Sequence, residues 1–541
     1  MKKIPENTII YEISTLHVGV TGSAILVTYH LPNNNSKQFL VECGIFQEYE
    51  YKEYNDSLPF KPNNIDYVFF THTHVDHIGR LPFLVKEGYH NKIYCTNEAK
   101  SLMVPALFDC AKILDSDSKL LTKKKKRLIL PLYDSDNVKE TLKLTYGMDY
   151  NKTYKLDDNL SVTFLGNGHL MGAAMILIQL SYPKCETVNL LFTGDYNVDN
   201  LFQEVPEIPK WVKKLKLIVI QESTYGDSTT SEIKYNYSEN LVELINDNKT
   251  VLSPVIACER AEQVLLKLKK LQDNNMISKK IPIYLAGSLA CEYFKIYACK
   301  SKIDFIPENL TLVSSKEITI HSEMLENKNL SFIHEIPDNI LESKGPKIIL
   351  TTSGMADKGK APYYLSKLAH RDDVTIFFTC YLPSSTLGYS LKNLKKGSEF
   401  TFSVFGEKIK TEINAEIISC NEFSSHAKSD QLLDFLKLFP NLVGVFVNHG
   451  NLKTKEIYTK EILDKIEPEF VEILDRSIFY MMSSYQIIKF SNSKYMSLID
   501  LKNLTKKTRK DRKIQSKKNK PKFKRSNPRS SKKVHTFLFN N

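Results

Sequence analysis

The chain contains no apolar run approaching the ~18 residues that a membrane-spanning helix needs. Its first residues carry two lysines but no apolar segment, so they are not typical of a signal peptide. The nine cysteines are scattered and include no C-x-x-C pair, which excludes a disulfide framework and a cysteine-type zinc finger. No segment repeats at a fixed period, so a solenoid is excluded. We therefore expect a cytoplasmic globular protein with no membrane partner, and a length of 541 residues favours two or three domains.

Positive charge is unevenly distributed along this chain, whose formal net charge is +12. Residues 502–533 hold sixteen Lys and Arg against the single acid Asp511, and apolar residues are sparse from 501 onward. This composition predicts a disordered basic tail that attracts polyanions through their phosphate charge, without reading sequence. A second basic run, Lys123, Lys124 and Lys125, falls in a helical or loop insert. It fits either a solvated face or a nucleic-acid contact.

Histidine is scarce, yet six of the thirteen histidines lie at strand ends or sharp turns. An apolar strand pattern beginning at Ile65 ends in the sequence His72-Thr-His74-Val-Asp76-His77 and is followed by a short helical pattern. Residues two apart in an extended chain face the same side, and the bend lets the other two side chains reach round. Nitrogen and oxygen donors in such an arrangement suit a borderline ion such as zinc. The corner therefore predicts a metal site.

Further apolar strand patterns end in polar residues that could join this site. These residues are His169, Asp195, Glu222, His426 and His449. Layered α/β folds place their chemistry at such strand ends. With the corner they supply enough ligands for two ions about 3.5–4 Å apart, with Asp195 as the candidate bridge. Two such ions activate a water and neutralise charge on a phosphoryl group, so the pattern predicts hydrolysis.

Helix and strand patterns alternate after Glu222, which predicts a second α/β domain with a parallel sheet. Six motifs in this order resemble those of metallo-β-lactamase-fold nucleases that carry a β-CASP domain: THTHVDHIGRLP, GNGHLMGAAM, FTGDYN, ESTYGD, FSSHAKSDQL and VNHG. The resemblance covers about residues 10–455, and TTSGM and YLPSSTLGYSL also resemble β-CASP segments. This family includes RNase J and the endonuclease subunit of the pre-mRNA 3′-end machinery, and the chain resembles its shorter bacterial RNA-processing members most.

The resemblance implies an α/β architecture built from a metallo-β-lactamase αββα sandwich and an inserted β-CASP domain. The expected limits are 1–208 and 397–470 for the sandwich, 209–396 for the β-CASP domain, 471–500 for an extension and 501–541 for the disordered basic tail.

The resemblance also assigns roles to individual residues, and it implies two Zn²⁺ per chain. One zinc would be held by His72, His74, His169 and Asp195, and the other by Asp76, His77, Asp195 and His449. His426 would protonate the leaving 3′-oxygen with Glu222 orienting it, and Asp76 is counted with this catalytic pair as well as with the ligands. A histidine beside a carboxylate is a good general acid. Ser353 and Gly354 could offer backbone N–H groups to a phosphate, although an ordinary turn fits equally well.

One departure from the family pattern concerns the acid that supports a metal-bound histidine. The family has Asp in the motif L-x-D-C-G, where this chain has Val41-Glu42-Cys43-Gly44. Glu42 keeps the charge but adds a methylene, so the ring of the histidine could be aimed differently. A lower activity is left open, whereas loss of the metal is not expected.

The function expected from this resemblance is zinc-dependent hydrolysis of RNA, as an endonuclease with 5′-to-3′ trimming left open. His449 favours single-stranded RNA, because DNA-repair relatives carry an apolar residue at that position. A homodimer is left open. The alternatives are a catalytically weak RNA-binding scaffold, a DNA-directed nuclease of the same fold, and a small-molecule metallohydrolase. The full set of seven ligands disfavours the scaffold. The long insert between Glu222 and His426 and the basic tail disfavour the small-molecule enzyme.

Overall fold

The structure is a computed structural model that describes residues 8–15, 19–234, 236–316, 318, 330–474, 478–482 and 487–490. The predicted tail over 501–541 and part of the predicted extension over 471–500 lie outside these residues. Within the described ranges, no helix is both long and apolar enough to cross a membrane.

Strands and helices alternate along most of the described chain. The strands are β1 (Ile10–Thr15), β2 (Ile25–His30), β3 (Ser36–Val41), β4 (Tyr67–Phe69), β5 (Ile93–Thr96), β6 (Thr145–Met148), β7 (Thr153–Lys155), β8 (Leu160–Gly166), β9 (Ala174–Leu180), β10 (Val188–Phe192), β11 (Leu217–Glu222), β12 (Thr250–Pro254), β13 (Ile283–Ala286), β14 (Leu310–Val313), β15 (Ser331–Ile333), β16 (Lys347–Thr351), β17 (Val374–Phe378), β18 (Ser398–Val404), β19 (Glu407–Ile413), β20 (Glu416–Ser419), β21 (Leu442–Asn448), β22 (Phe470–Ile473), β23 (Ile478–Met482) and β24 (Ile487–Phe490). The α-helices are α1 (Val75–Ile78), α2 (Leu81–Lys86), α3 (Asn97–Lys125), α4 (Ser135–Leu144), α5 (Lys210–Lys213), α6 (Tyr237–Asn246), α7 (Arg260–Asp273), α8 (Ser288–Lys300), α9 (Asp338–Glu342), α10 (Ala361–Leu368), α11 (Leu387–Lys392), α12 (Ser429–Leu436) and α13 (Leu452–Lys465).

Two mixed sheets pack face to face and form a sandwich. The first has the order β24-β23-β1-β2-β3-β4-β5-β6, and the second has the order β22-β21-β11-β10-β9-β8-β7. Phe39 of the first sheet lies between Phe69 and Phe192, with ring centroids 6.0 and 6.3 Å away, so it joins the two inner faces. Leu190 faces this shared core, whereas its neighbour Leu191 faces the helices outside, as the two-residue period of a strand requires.

Helices cover both outer faces of the sandwich. The side chains of α3 pack on the first sheet, and those of α12 and α13 pack on the second. This αββα arrangement confirms the predicted fold class. The sequence pattern ended α3 near Leu114, but the helix continues to Lys125 with Pro105 inside it.

The third sheet belongs to the inserted part of the chain and is entirely parallel. Its order is β15-β14-β13-β16-β12-β17-β20. Strand β12 is fully buried from Thr250 to Pro254, as expected for a sheet covered by helices on both faces. The last strand, β20, follows the hairpin β18–β19, which the sequence did not lead us to expect. The sheet therefore takes one strand from beyond residue 396, where we placed a domain limit, and the limits stay a prediction.

Candidate metal centre

The predicted ligands lie at the ends of strands that meet at one edge of the sandwich. His72 and His74 follow β4, and Asp195 follows β10. Strands β10, β11 and β21 are parallel neighbours, so the residues after them leave the sheet at the same edge. Glu222 ends β11, and His449 follows β21 with a left-handed φ of 42°. The structure thus gathers side chains that are more than 370 positions apart in the sequence.

Four of these side chains converge on one point. His72 Nε2 and His169 Nε2 lie 3.2 and 3.1 Å from His74 Nδ1. Asp195 Oδ2 lies 3.5 Å from His72 Nε2 and 3.6 Å from His169 Nε2. A tetrahedral site with metal–nitrogen bonds of about 2.0–2.1 Å places its ligand atoms about 3.3–3.4 Å apart. The spacing and the donor set therefore fit a metal ion.

Hydrogen bonds on the far side of two rings fix which nitrogen faces this point. His169 Nδ1 lies 2.9 Å from the carbonyl oxygen of Ser425, which only accepts, so Nδ1 carries the proton. His72 Nδ1 lies 3.0 Å from Thr71 Oγ1, and that hydroxyl already donates to Glu42. His72 Nδ1 must then donate as well. Both rings direct the lone pair of Nε2 inward, which is the tautomer that binds a metal.

A second group of donors shares Asp195 with the first. His77 Nε2 lies 3.3 Å from Asp195 Oδ2 and 3.8 Å from Asp76 Oδ2. His449 Nδ1 lies 3.3 Å from Asp195 Oδ1 and 3.0 Å from Thr224 Oγ1. Asp76, His77 and His449 also offer ligand atoms within 4.8 Å of one another. The two oxygens of Asp195 therefore face both groups, as a bridging carboxylate would.

Glu42 contacts His77, a member of this second group. Its side chain is 3 % exposed, and its Oε2 lies 2.9 Å from His77 Nδ1. Ser23 Oγ donates to Oε2 at 2.5 Å, and Thr71 Oγ1 donates to Oε1. The backbone at Glu42 has a left-handed φ of 69°. The longer glutamate therefore reaches the histidine that the family's aspartate would be expected to orient.

Burial and charge set the protonation of the cluster. Burial lowers the pKa of His72 and His169 well below the usual value, with further lowering by the neighbouring histidines. Burial also lowers the pKa of His74 to about 4, despite the opposing effect of Asp76. These three rings are neutral at pH 7 and can donate lone pairs. His77 differs, because the carboxylates of Asp195, Glu42 and Asp76 outweigh burial and raise its pKa.

His426 and Glu222 form a pair beside the metal centre. His426 Nδ1 lies 3.0 and 3.1 Å from the two carboxylate oxygens of Glu222, so Nδ1 donates. Its Nε2 lies 3.9 Å from Asp195 Oδ2 and faces the candidate ligands. Burial lowers the pKa of His426, but the charges of Glu222 and Asp195 outweigh it and raise the pKa to about 9. A protonated Nε2–H at this position can donate a proton to a leaving oxygen.

The segments predicted to bind phosphate lie in the inserted domain and on α3. The N–H of Ser353 donates to Lys358 O at 3.2 Å, so it is engaged within its own loop. Gly354 packs against the backbone of residues 255–256, where a Cβ would meet Ile256 N at 2.8 Å. Lys123 and Lys124 are exposed in the last turn of α3, and Lys125 is half-buried there. Their contact with RNA stays a prediction.

Glu259 was not predicted to take part in the site, yet its carboxylate accepts hydrogen bonds from the two loops that carry His169 and Asp195. Its Oε2 accepts from Met171 N at 2.7 Å, and its Oε1 accepts from Asn200 Nδ2 at 2.6 Å. Met171 lies two residues after His169, and Asn200 lies five residues after Asp195. Tyr297 OH also donates to Oε2, at 2.5 Å. No sequence pattern predicts a contact between residues 88 positions apart.

Three family models match the chain. The model of the metallo-beta-lactamase superfamily matches residues 18–146, and the Beta-Casp domain model matches residues 261–391. A third model, the Zn-dependent metallo-hydrolase RNA specificity domain, matches residues 410–469.

Several curated relatives match over most of the chain. A ribonuclease of Thermus thermophilus is 28% identical over 442 residues, which is 80% of this chain and 90% of the relative. Transcription termination factor FttA of Methanosarcina mazei is 27% identical over 76% of this chain, but the match spans only 62% of that longer relative. Integrator complex subunit 11 of Danio rerio is 24% identical over 80% of this chain and 68% of its own length.

Proposed function

Because the chain belongs to the metallo-β-lactamase superfamily and carries a β-CASP domain, we propose that it is a zinc-dependent ribonuclease that hydrolyses phosphodiester bonds of single-stranded RNA. The observation that carries this proposal is the convergence of three neutral imidazoles and Asp195 at tetrahedral spacing. The RNA specificity domain model and the ribonuclease relative support RNA as the substrate. Two Zn²⁺ per chain fit the two donor groups that share Asp195.

The candidate ligands would form two metal sites. His72, His74, His169 and Asp195 would hold one ion, and Asp76, His77, Asp195 and His449 would hold the other. When bound, such ions lower the pKa of a water and neutralise charge on a phosphoryl group.

The proton for the leaving oxygen would come from His426. The Glu222 carboxylate accepts from Nδ1 and therefore directs the Nε2–H of the protonated ring toward the metal ligands. The same carboxylate accepts from Tyr196 N, so its position is fixed from the backbone of the strand end that carries Asp195. Glu42 would hold the ring of His77 in place by accepting from Nδ1.

The test is cleavage of a labelled single-stranded RNA by wild type and by His74→Ala. We expect the variant to fold, to lose zinc and to lose cleavage, because His74 Nδ1 faces two other ligand atoms. His90→Ala is the matched control, since His90 is exposed and its Nδ1 contacts the nearby Gly88 O. Equal turnover by wild type and His74→Ala would remove the assignment.

The mode and the choice of nucleic acid need separate substrates. A circular RNA has no end to enter, so its cleavage would identify endonuclease activity, whereas cleavage of the linear form alone would identify trimming from an end. A DNA strand of the same sequence tests the DNA-directed alternative. The homodimer stays a prediction, to be measured by light scattering of the full chain.

A further inference from the structure

The carboxyl edge of the third sheet has the topology of a ligand site. Strands β12 and β16 are adjacent. From β12 the chain crosses to β13 on one side, and from β16 it crosses to β17 on the other. Ligands in open parallel sheets bind at such a switch point, outside the carboxyl ends of the strands. Gly354, after β16, packs here against the backbone of residues 255–256, after β12.

Arg260 lies at this edge, and its guanidinium has N–H groups that bind no acceptor among the described residues. It is 7 % exposed, its Nε donates to Gln263 Oε1 at 3.1 Å, and its Nη1 donates to Thr379 O. Within the described part of the chain, Nη2 makes no hydrogen bond and no carboxylate forms an ion pair with this side chain. The neighbouring carboxylate of Glu259 is already engaged by donors from other residues.

Arg80, a second buried arginine, shows what a structural guanidinium looks like in this protein. Arg80 is 1 % exposed, and it donates to the carbonyl oxygens of Gly44 at 2.6 Å, Tyr54 at 2.9 Å and Ser57 at 3.5 Å. Three carbonyls compensate its charge. Arg260 has one carbonyl and one amide, and a buried charge without compensation is costly.

The sheet edge at Arg260 lies next to the turn that carries His426. The Cζ of Arg260 lies 5.6 Å from the ring of Phe423, three residues before His426. The ring of Tyr225 lies 6.0 Å from that of His426. The guanidinium therefore lies beside the turn that carries His426.

We propose that Arg260 binds a backbone phosphate of the RNA next to the phosphate that is cleaved. The inference rests on the proposed function for its ligand, and it adds a second phosphate contact where the carboxyl edge of the third sheet adjoins the turn that carries His426. A planar guanidinium suits a phosphate because two of its N–H groups can bind two oxygens of one group. Nη2 and the second N–H of Nη1 are the donors left for it.

The experiment combines a charge change in the protein with a charge change in the RNA. A short RNA with one cleavage site is made with a neutral methylphosphonate at one linkage at a time around that site. For wild type, we expect one flanking position to raise KM roughly 10- to 100-fold, the range for a lost charge-assisted contact. Arg260→Met should raise KM by a similar factor on unmodified RNA and should lose the sensitivity to that one position.

Arg371→Met is the matched control. Arg371 belongs to the same domain but precedes β17, at the opposite edge of the sheet, and Asp373 binds its Nε and Nη2 at 2.9 and 2.6 Å. We expect it to leave the methylphosphonate profile unchanged. Arg260→Lys provides a second variant should Arg260→Met not fold. It keeps the charge, so it should keep the sensitive position while losing part of the affinity.

The possible results separate this inference from the proposed function. Binding is also measured without turnover, by fluorescence anisotropy of the same RNAs on chelator-treated protein. For each methylphosphonate RNA, the increase in KM with Arg260→Met is compared with the product of the two separate increases. If they are equal at every position, Arg260 contacts no phosphate and the inference is wrong. If wild type cleaves RNA and Arg260→Met matches it in KM, only this inference falls. If wild type binds RNA through Arg260 but does not cleave it, the phosphate site stands and the nuclease assignment falls.

Discussion

Replacement of Glu259 tests how much the inserted domain stabilises the two loops that carry His169 and Asp195. Glu259→Gly is the informative change, because glycine accepts the left-handed φ of 62° and removes the whole side chain, including the carboxylate that accepts from Met171 N and Tyr297 OH. Met171 and Tyr297 are 2 and 0 % exposed, so the Met171 N–H and the Tyr297 hydroxyl would both lose an acceptor in the interior. A buried donor without a partner costs about 1–3 kcal/mol, which gives about 2–6 kcal/mol for the two.

Two smaller effects nearly cancel. Relief of the left-handed conformation returns about 1–2 kcal/mol, and the greater backbone freedom of unfolded glycine costs about 0.5–1 kcal/mol. We therefore expect Glu259→Gly to lower the free energy of unfolding by about 2–5 kcal/mol, measured by urea denaturation of the metal-free chain. It should also weaken zinc binding in a competition titration with a chelator, because Met171 and Asn200 belong to the loops that carry His169 and Asp195.

Glu259→Gln is the conservative control. Its amide oxygen can accept from Met171 N and Tyr297 OH, so a large part of the stability should return. Its NH₂ would face the NH₂ of Asn200, whose Oδ1 already accepts from Phe202 N and Gln203 N, so that one hydrogen bond is lost. Burial raises the pKa of Glu259 in the folded protein. The folded state then binds the proton more tightly than the unfolded state, so stability falls as pH rises from the ordinary carboxyl range through the raised pKa. Glu259→Gln should remove that decline. Equal unfolding midpoints for wild type and Glu259→Gly, or a Gln variant as unstable as Gly, would refute this account.

Three further changes test the site and the tail. Glu222→Gln removes the charge that raises the pKa of His426, so the loss of activity at high pH should begin at a lower pH than in wild type; an unmoved pH–rate profile would contradict a protonated His426. Glu42→Asp withdraws the carboxylate from His77 Nδ1, 2.9 Å away, and should weaken zinc binding roughly 10- to 100-fold in a chelator titration; unchanged affinity would show that Glu42 does not orient the ring. Deletion of 502–541 should raise KM for RNA steeply at low salt and leave kcat nearly unchanged, and a salt-independent KM would show that the tail is irrelevant.

The convergence of the candidate ligands could be predicted from the sequence because each marks the end of a local apolar pattern. H-x-H-x-D-H follows β4 directly, and His169 lies in a turn between two apolar strands, so the local pattern was sufficient. Family resemblance then joined the distant members. The tautomers were beyond such reasoning, because they depend on acceptors elsewhere in the chain. The carbonyl of Ser425, for example, is 256 residues from His169.

For the fold as well, the sequence pattern predicted some elements and missed others. The alternation of helices and strands predicted the parallel third sheet. The hairpin β18–β19 was missed although its residues alternate between exposed and buried, as strand residues do, because the preceding helix–strand pattern had suggested a simple return to the sandwich. The length of α3 was underestimated because the residues directly after Leu114, Asp115-Ser116-Asp117-Ser118, are weaker helix formers that interrupt the apolar pattern, while packing on the first sheet stabilises the first half of the helix.

The metal centre and the third sheet are coupled through residues whose partners lie across the domain boundary. Phe202, in the loop after Asp195, packs against Tyr297 and Phe305 with ring centroids 5.2 and 5.4 Å away. The Glu259 carboxylate bonds the same loop and the loop of His169. Arg260, the next residue, faces the turn of His426. A movement of the inserted domain would therefore shift the candidate ligands and Arg260 together. RNA bound to both should then slow zinc release, whereas free phosphate, which cannot span the two parts, should not.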